Sequence, residues 1–238
     1  MNRLCAGVRY LITDRNGGVS GERFTSLNLG LAVGDDPAAV MANRKLAAAR
    51  CGLEAGGVAW MRQVHGADVR YVAGGGQQDG SFDAMFTDLA GLALAVQVAD
   101  CVPVLVADPQ ARLAGAAHAG RAGLAAGVVP ALVTAMTAAG GRPDRMHAII
   151  GPAICGRCYE VPEQLRAEVS AVVPEAGCTT SQGSAGLDIA AGVKAQLAAA
   201  AVASVQADGR CTRESAELYS YRRDGTTGRF AGLIWLER

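Results

Sequence analysis

The sequence predicts mixed α/β or α+β packing of strands and flanking helices around a central sheet, in one large domain or two small ones. Three observations point there. Short β-type runs recur along the chain, segments of helical composition lie between them, and no repeat or long linker divides the whole. Half the residues are hydrophobic, enough for a sizeable core in 238 residues.

The elements follow in order. VRYLIT (8–13) reads as the first strand. DDPAAVMANRKLAAARCG (35–52) reads as a helix, with Asp and Pro suited to its first turn and a glycine at its end. DVRYVA (68–73) is a second strand, and the glycine-rich run 74–80 a surface loop. LALAVQVA (92–99) and VPVLVAD (102–108) are continuous apolar runs, the mark of strands buried on both faces. Asp100 and Cys101 between them are then expected at an edge or bend of buried structure, where polar groups need partners. The uncharged span 123–141 has the length of a membrane helix, but its Ala, Gly and Thr content and central Pro130 indicate one or two soluble helices packed on the sheet. HAIIG (147–151) is a strand, VPEQLRAEVSAVV (161–173) and DIAAGVKAQLAAAAV (188–202) are helices, and YSYRRDGTTGRFAG (219–232) reads as strand, turn at Asp224-Gly225 and returning strand, continuing into AGLIWLE (231–237).

Charge and cysteine content narrow the function classes. Lys plus Arg equals Asp plus Glu at 22 each, so no electrostatic reason favours nucleic acid or an anionic membrane as partner. Local cations remain: Arg62, Arg121, Arg222 and Arg223 could each meet one phosphate, although Arg222 and Arg223 read better as solvated or salt-bridged. The N-terminus lacks a secretory pattern, because Arg9 and Asp14 interrupt any apolar core. Seven irregularly spaced cysteines do not form a disulfide framework, so a cytoplasmic protein is expected; a monomer or weak homodimer is the expected state.

The chain has three histidines, and two of them stand in glycine- and alanine-rich surroundings: His65 in QVHGADV and His118 in AAHAGRAG. Cys101 lies between them, 36 residues after the first and 17 before the second, so the three meet only through the fold. His, Cys and His suit zinc, and three protein ligands with an open position favour catalysis over structure. Water at such a position titrates near neutrality, roughly pH 7. Copper also accepts imidazole and thiolate. A Cys–His nucleophilic pair and inert packing both remain open. The pair Cys155 and Cys158 in CGRC fits a redox pair or half a zinc knuckle; with no second C-x-x-C in the chain, a four-cysteine zinc site is not expected, and chance or structure is favoured over function. The segment 14–30 holds no phosphate-loop pattern; with Arg15, Ser26 and Asn28 it is either a turn-rich connection or a loop lining a cleft.

Taken together, TDRNGGVS, FTSLNLGLAVGDDPAAVMANR, QVHGADV, TDLAGLALAVQVADCVPVLVADP, GAAHAGRAGL, GPAICGRCYEV and SYRRDGTTGRFAGLIWL resemble the YfiH-type laccase-domain family, from near Thr13 to Trp235. The resemblance implies a single-domain α/β (α+β) fold over residues 1–238, a mixed sheet with flanking helices, distantly similar to cysteine hydrolases of the cytotoxic necrotizing factor type. It implies a metal site made of His65, Cys101 and His118, which are also the catalytic set, loaded with zinc, with copper as the alternative. It implies purine nucleosides and phosphate as substrates: phosphorolysis of adenosine, inosine and methylthioadenosine, with deamination of adenosine. Arg62, Arg121 and Asn28 are the expected binding residues, and Asp100 a candidate acid/base. Copper phenol oxidation and a metal-free Cys–His hydrolase linked to peptidoglycan editing are the alternatives; three histidines cannot build a trinuclear copper cluster with a blue-copper site. A purely structural metal staple is a third. Two departures stand out. The family's HAGWRG reads HAGRAG here, so Arg121 lies one residue from the usual arginine position, held by Ala122, and GPAIGPCCYEV reads GPAICGRCYEV, with Cys155 where glycine is usual.

Overall fold

The computed structural model describes the whole chain, Met1–Arg238. Its first half runs β1 (Asn2–Cys5), β2 (Val8–Ile12), α1 (Pro37–Arg50), β3 (Val58–Trp60), β4 (Val69–Tyr71), β5 (Gly76–Gln77), β6 (Ala84–Thr87), β7 (Ala93–Val98), β8 (Val102–Asp108) and β9 (Leu113–Ala119). Then come α2 (Arg121–Ala125), α3 (Val128–Ala138), β10 (His147–Ile150), α4 (Glu163–Val172), β11 (Gly177–Thr179), β12 (Ala185–Leu187), α5 (Ile189–Ala199), β13 (Ser204–Ala207), α6 (Tyr221–Asp224) and β14 (Phe230–Leu236).

The mixed α/β class holds, but the strands divide between two six-stranded mixed sheets where one was expected, with β11 and β12 as a separate small pair. One sheet has the order β1-β2-β14-β7-β3-β5, the other β13-β10-β8-β9-β6-β4. They pack face to face, and strand alternation explains why. In β7, Leu94, Val96 and Val98 point between the sheets, while Ala93 and Ala95 point outward. In β8, Leu105 and Ala107 meet them, and Val102, Val104 and Val106 face the other way. Each sheet's outer face is covered by helices, giving four layers. α1 lies on the first sheet through Val40, Asn43, Arg44, Ala47 and Ala48, a single stripe at helical spacing. Its N-cap is Asp36, whose side chain accepts the Ala38 N–H at 3.0 Å, with Pro37 at the first helical position. α3 and α5 cover the second sheet through Leu132, Met136, Val193 and Leu197.

All six expected strands and all three expected helices form, within a few residues of the sequence bounds. The span 123–141 takes part in two helices, α2 and α3, broken at Gly127, and no helix is long and apolar enough to cross a membrane. Two expectations fail locally. Residues 221–224 form the short helix α6, not a strand, because the Ser220 side chain caps it by accepting the Arg223 N–H. The 74–80 loop contributes a strand, β5, paired parallel with β3. Strand β9 carries no clear strand signal in its Ala- and Gly-rich sequence. The reason is packing: a Cβ on Gly115 would stand 2.8 Å from Met136 Sδ and 3.1 Å from Leu132 Cδ1, so α3 demands small residues beneath it.

Candidate metal centre and its cleft

Two chain segments cross from one sheet to the other at the same rim. β7 of the first sheet passes through residues 99–101 into β8 of the second, and β3 passes through residues 61–68 into β4. Cys101 sits in one crossing and His65 in the other, while His118 lies near the end of β9, in register with Pro103 of β8. The three residues that are distant in sequence thus converge, which is the geometry the sequence expectation required.

Both crossings use left-handed backbone at non-glycine residues: φ is 63° at His65 and 99° at Asp100. Such conformations persist where surrounding contacts over-determine them. At Asp100 the contacts are a Thr212 hydroxyl donating to Oδ1 at 2.6 Å, an Arg222 N–H donating to Oδ2 at 2.6 Å, and an Ile154 N–H donating to the carbonyl at 3.0 Å. At His65 they come from one carboxylate. Asp83, fully buried, accepts the backbone N–H groups of Val64, His65 and Gly66 at 3.0, 2.9 and 2.7 Å. The same carboxylate lies 2.8 Å from His118 Nδ1, and the Asp83 carbonyl accepts the His118 N–H at 2.7 Å. One acid therefore fixes the loop bearing one imidazole and the ring of the other.

With Nδ1 of His118 committed to Asp83, its Nε2 is left for the centre. Cys101 Sγ stands 3.7 Å from His65 Nε2, and the three donor atoms of His65, Cys101 and His118 lie within 4.8 Å of one another. A tetrahedral ion with N at about 2.05 Å and S at about 2.3 Å separates such a pair by about 3.6 Å, so the donors fit a metal ion. Gly120 supplies the room: a Cβ there would stand 2.6 Å from His65 Cδ2 and 3.1 Å from Cys101 Sγ. His118 is buried and Cys101 partly so, whereas His65 faces the open side.

The electrostatics match. Burial pushes the Cys101 thiol up, but His118 and His65 outweigh it and hold it at about 6. Burial works against a charge on His118, yet the Cys101 thiolate and Asp83 raise it to about 9. Burial likewise opposes the Asp83 charge; the His118 ring and the N–H groups of Gly66 and Val64 prevail and keep the carboxyl below its ordinary range. Without metal, the site is a thiolate–imidazolium pair resting on a carboxylate.

The donors open into a cleft of about 1000 Å³. Its walls carry five arginines, three of them tied to protein oxygens: Arg44 to Leu29 and Gln77, Arg222 to the Glu160 carbonyl, and Arg229 to the Thr227 and Gly228 carbonyls. Arg62 and Arg121 also line the cleft, and their guanidinium groups make no hydrogen bond or salt bridge to the protein. Arg121 is the first residue of α2, directly after Gly120, and the shifted arginine of HAGRAG lines the same cleft as the three donors. Asn28 does not. It is fully buried, its amide holding Gly30, Asp35 and the Arg229 N–H, and it shapes the loop from behind. Asp100 is a cleft residue whose two carboxylate oxygens accept from the Thr212 hydroxyl and the Arg222 N–H, contacts that fix the bend before Cys101. Arg223 is bound to carbonyls of Thr212, Ser215 and Leu218 and to Asp224.

Asp83, Tyr159 and Tyr221 are site residues that the sequence does not announce. The one available signal for Asp83 is a lone acid inside the apolar run FDAMF.

A family described as multi-copper polyphenol oxidoreductase laccase matches residues 9–237. The chain is 56% identical over 233 residues to a purine nucleoside phosphorylase of Streptomyces coelicolor, covering 97% of this chain and 96% of that one. Among solved structures it is similar to YlmD from Geobacillus stearothermophilus (TM-score 0.89, 34% identity, 98% and 93% of the two chains). It is also similar to a hypothetical protein, YfiH, of Bacillus licheniformis (TM-score 0.88, 30% identity, 97% and 93%).

Proposed function

Because the chain belongs to the multi-copper polyphenol oxidoreductase laccase family, we propose that it is a zinc-dependent purine nucleoside phosphorylase acting on adenosine, inosine and methylthioadenosine, with adenosine deaminase activity. The observation that carries this reading is the pairing of a three-donor centre with two unengaged guanidinium groups, Arg62 and Arg121, in one cleft.

His65, Cys101 and His118 hold the metal. A zinc ion there supplies a Lewis acid in a partly dry site. Two histidines at the centre are too few for a multicopper cluster, so the family description does not carry phenol oxidation to this chain. Arg62 and Arg121 hold phosphate by charge-assisted hydrogen bonds. Tyr159 and Tyr221 present aromatic faces to the base, and Ile154 and Met61 add apolar wall that keeps water from the sugar. Phosphate displaces the purine at ribose C1′, giving the free base and a sugar phosphate. Asp83 takes no proton in this scheme; it orients His118 and the His65 loop. The whole chain, 1–238, acts as one cytoplasmic domain, in keeping with seven unpaired cysteines.

The test is turnover by purified, zinc-loaded protein. Adenosine with phosphate should give adenine and ribose 1-phosphate, and adenosine in water should give inosine. No product from either, after metal reconstitution, sinks the reading.

One observation favours a second reading. Cys101, His118 and Asp83 form a nucleophile, base and orienting acid in the arrangement of a cysteine hydrolase. Activity that survives chelation but not alkylation of Cys101 would select it.

A further inference from the structure

We propose that Cys155, Cys158, Cys211 and Glu214 form a second, structural zinc site, independent of the centre at His65, Cys101 and His118. Four donor atoms, one from each residue, lie within 4.8 Å of one another. Sequence spacing hides the set, because the partner of the C-x-x-C run is a C-x-x-E run more than fifty residues later.

The backbone presents the two runs in the same way. After Cys155 the chain turns, with the N–H groups of Cys158 and Tyr159 donating to the Cys155 carbonyl at 2.9 and 3.0 Å. After Cys211 it turns again, with the N–H groups of Glu214 and Ser215 donating to the Cys211 carbonyl at 3.2 and 2.9 Å. Each turn brings residues i and i+3 to one side. A parallel bridge between Ala153 and Cys211 holds the turns together. Inside the cluster, the Cys155 N–H donates to Cys211 Sγ at 3.4 Å, and Cys158 Sγ stands 3.6 Å from Glu214 Oε1.

The donor set selects the ion. Three thiolates and one carboxylate in a four-donor shell suit zinc, and a shell filled by protein is structural. A disulfide between any two of the cysteines leaves the third thiol and the carboxylate facing it unused. Binding releases one proton from each thiol, while Glu214 enters as carboxylate. The resulting double negative charge has neighbours to meet it: Arg157 reaches Glu214 Oε2 at 3.3 Å, and Arg213 donates to the Cys158 carbonyl at 3.3 Å. The site's place in the fold gives it a purpose. It clips together the segments carrying Ile154 and Thr212, both of which hold Asp100, the residue before Cys101.

The test uses the full chain with the other centre removed by His65→Ala, Cys101→Ser and His118→Ala together. Purified without added metal, this triple variant should retain about one zinc per chain. Replaced by cobalt, that site should show intense thiolate-to-metal charge transfer with tetrahedral d–d bands. Adding Cys158→Ser should abolish both. A triple variant that keeps its circular dichroism yet takes up no zinc overturns the proposal, whatever the catalytic reading's fate. Should the triple variant not fold, wild-type protein decides: chelation should speed alkylation of Cys155, Cys158 and Cys211 at least tenfold by peptide mapping. Equal rates, or a disulfide among the three, overturn it.

Discussion

His118 Nδ1 lies 2.8 Å from Asp83 Oδ1, and the same carboxylate receives three consecutive backbone N–H groups from the His65 loop. A single buried acid therefore sets the position of two of the three donors. Asp83→Asn keeps the shape but replaces a charged acceptor by an amide that cannot satisfy all four groups. Outer partners of metal-bound histidines are worth about 10–100-fold in affinity, and a loss of that size in zinc affinity, read by chelator competition, is expected with the fold retained. An unchanged affinity would remove Asp83 from the site.

The guanidinium groups of Arg62 and Arg121 have no partner in the protein to lose, so their replacement should spare stability. Each hydrogen bond from a charged group is worth about 1.5–3 kcal/mol, about 10–100-fold. Arg62→Ala and Arg121→Ala should each raise the KM for phosphate by about that factor, with thermal midpoint unmoved and little effect on deamination in water. Equal losses in both reactions would show that the arginines bind the nucleoside instead.

Chelated protein should expose a reactive thiol at Cys101. Its pKa of about 6 lies below that of a free cysteine, because His118 and His65 outweigh the cost of burial. The rate of Cys101 alkylation in metal-free protein should therefore rise with pH through a midpoint near 6, and zinc should suppress it. A midpoint at the free-thiol value of roughly 8.5 would deny the thiolate–imidazolium pair.

Away from the site, Asp108 governs acid stability. It is buried at the end of β8, which opposes its charge, but it accepts N–H groups from Ala111, Arg142 and Gln110 and the Arg145 guanidinium at 2.9 Å. The net result is a carboxyl below its ordinary range. A depressed folded pKa contributes stability that is complete above the unfolded value, roughly 3.9, and lost as pH falls through the folded one. Asp108→Asn should cost about 2–4 kcal/mol at pH 7, less than a fully buried pair because Arg145 is partly exposed. The deficit should shrink below pH 4 in denaturant melts, by roughly the charge contribution. A constant difference across pH would assign the cost to packing alone.

The sequence by itself determined the class and the donors. Continuous apolar runs at 92–99 and 102–108 pointed to strands buried on both faces, and they form β7 and β8 of the central layers. His65, Cys101 and His118 were legible because reactive side chains stood in unusually small surroundings, and Gly120 shows why the smallness is needed. Only the tertiary structure decided how those strands divide. Alternation fixes which faces are apolar but not which face of which strand it meets, so two stacked sheets and one larger sheet read alike from the pattern. It also decided the polar roles. Asn28 and Asp100 offer the same groups whether they meet a ligand or the protein itself; the Arg229 N–H holds Asn28 inside, and Thr212 ties Asp100 down at the cleft wall. Asp83, Cys211 and Glu214 acquired their neighbours in the same way, across chain separations that no local spacing encodes.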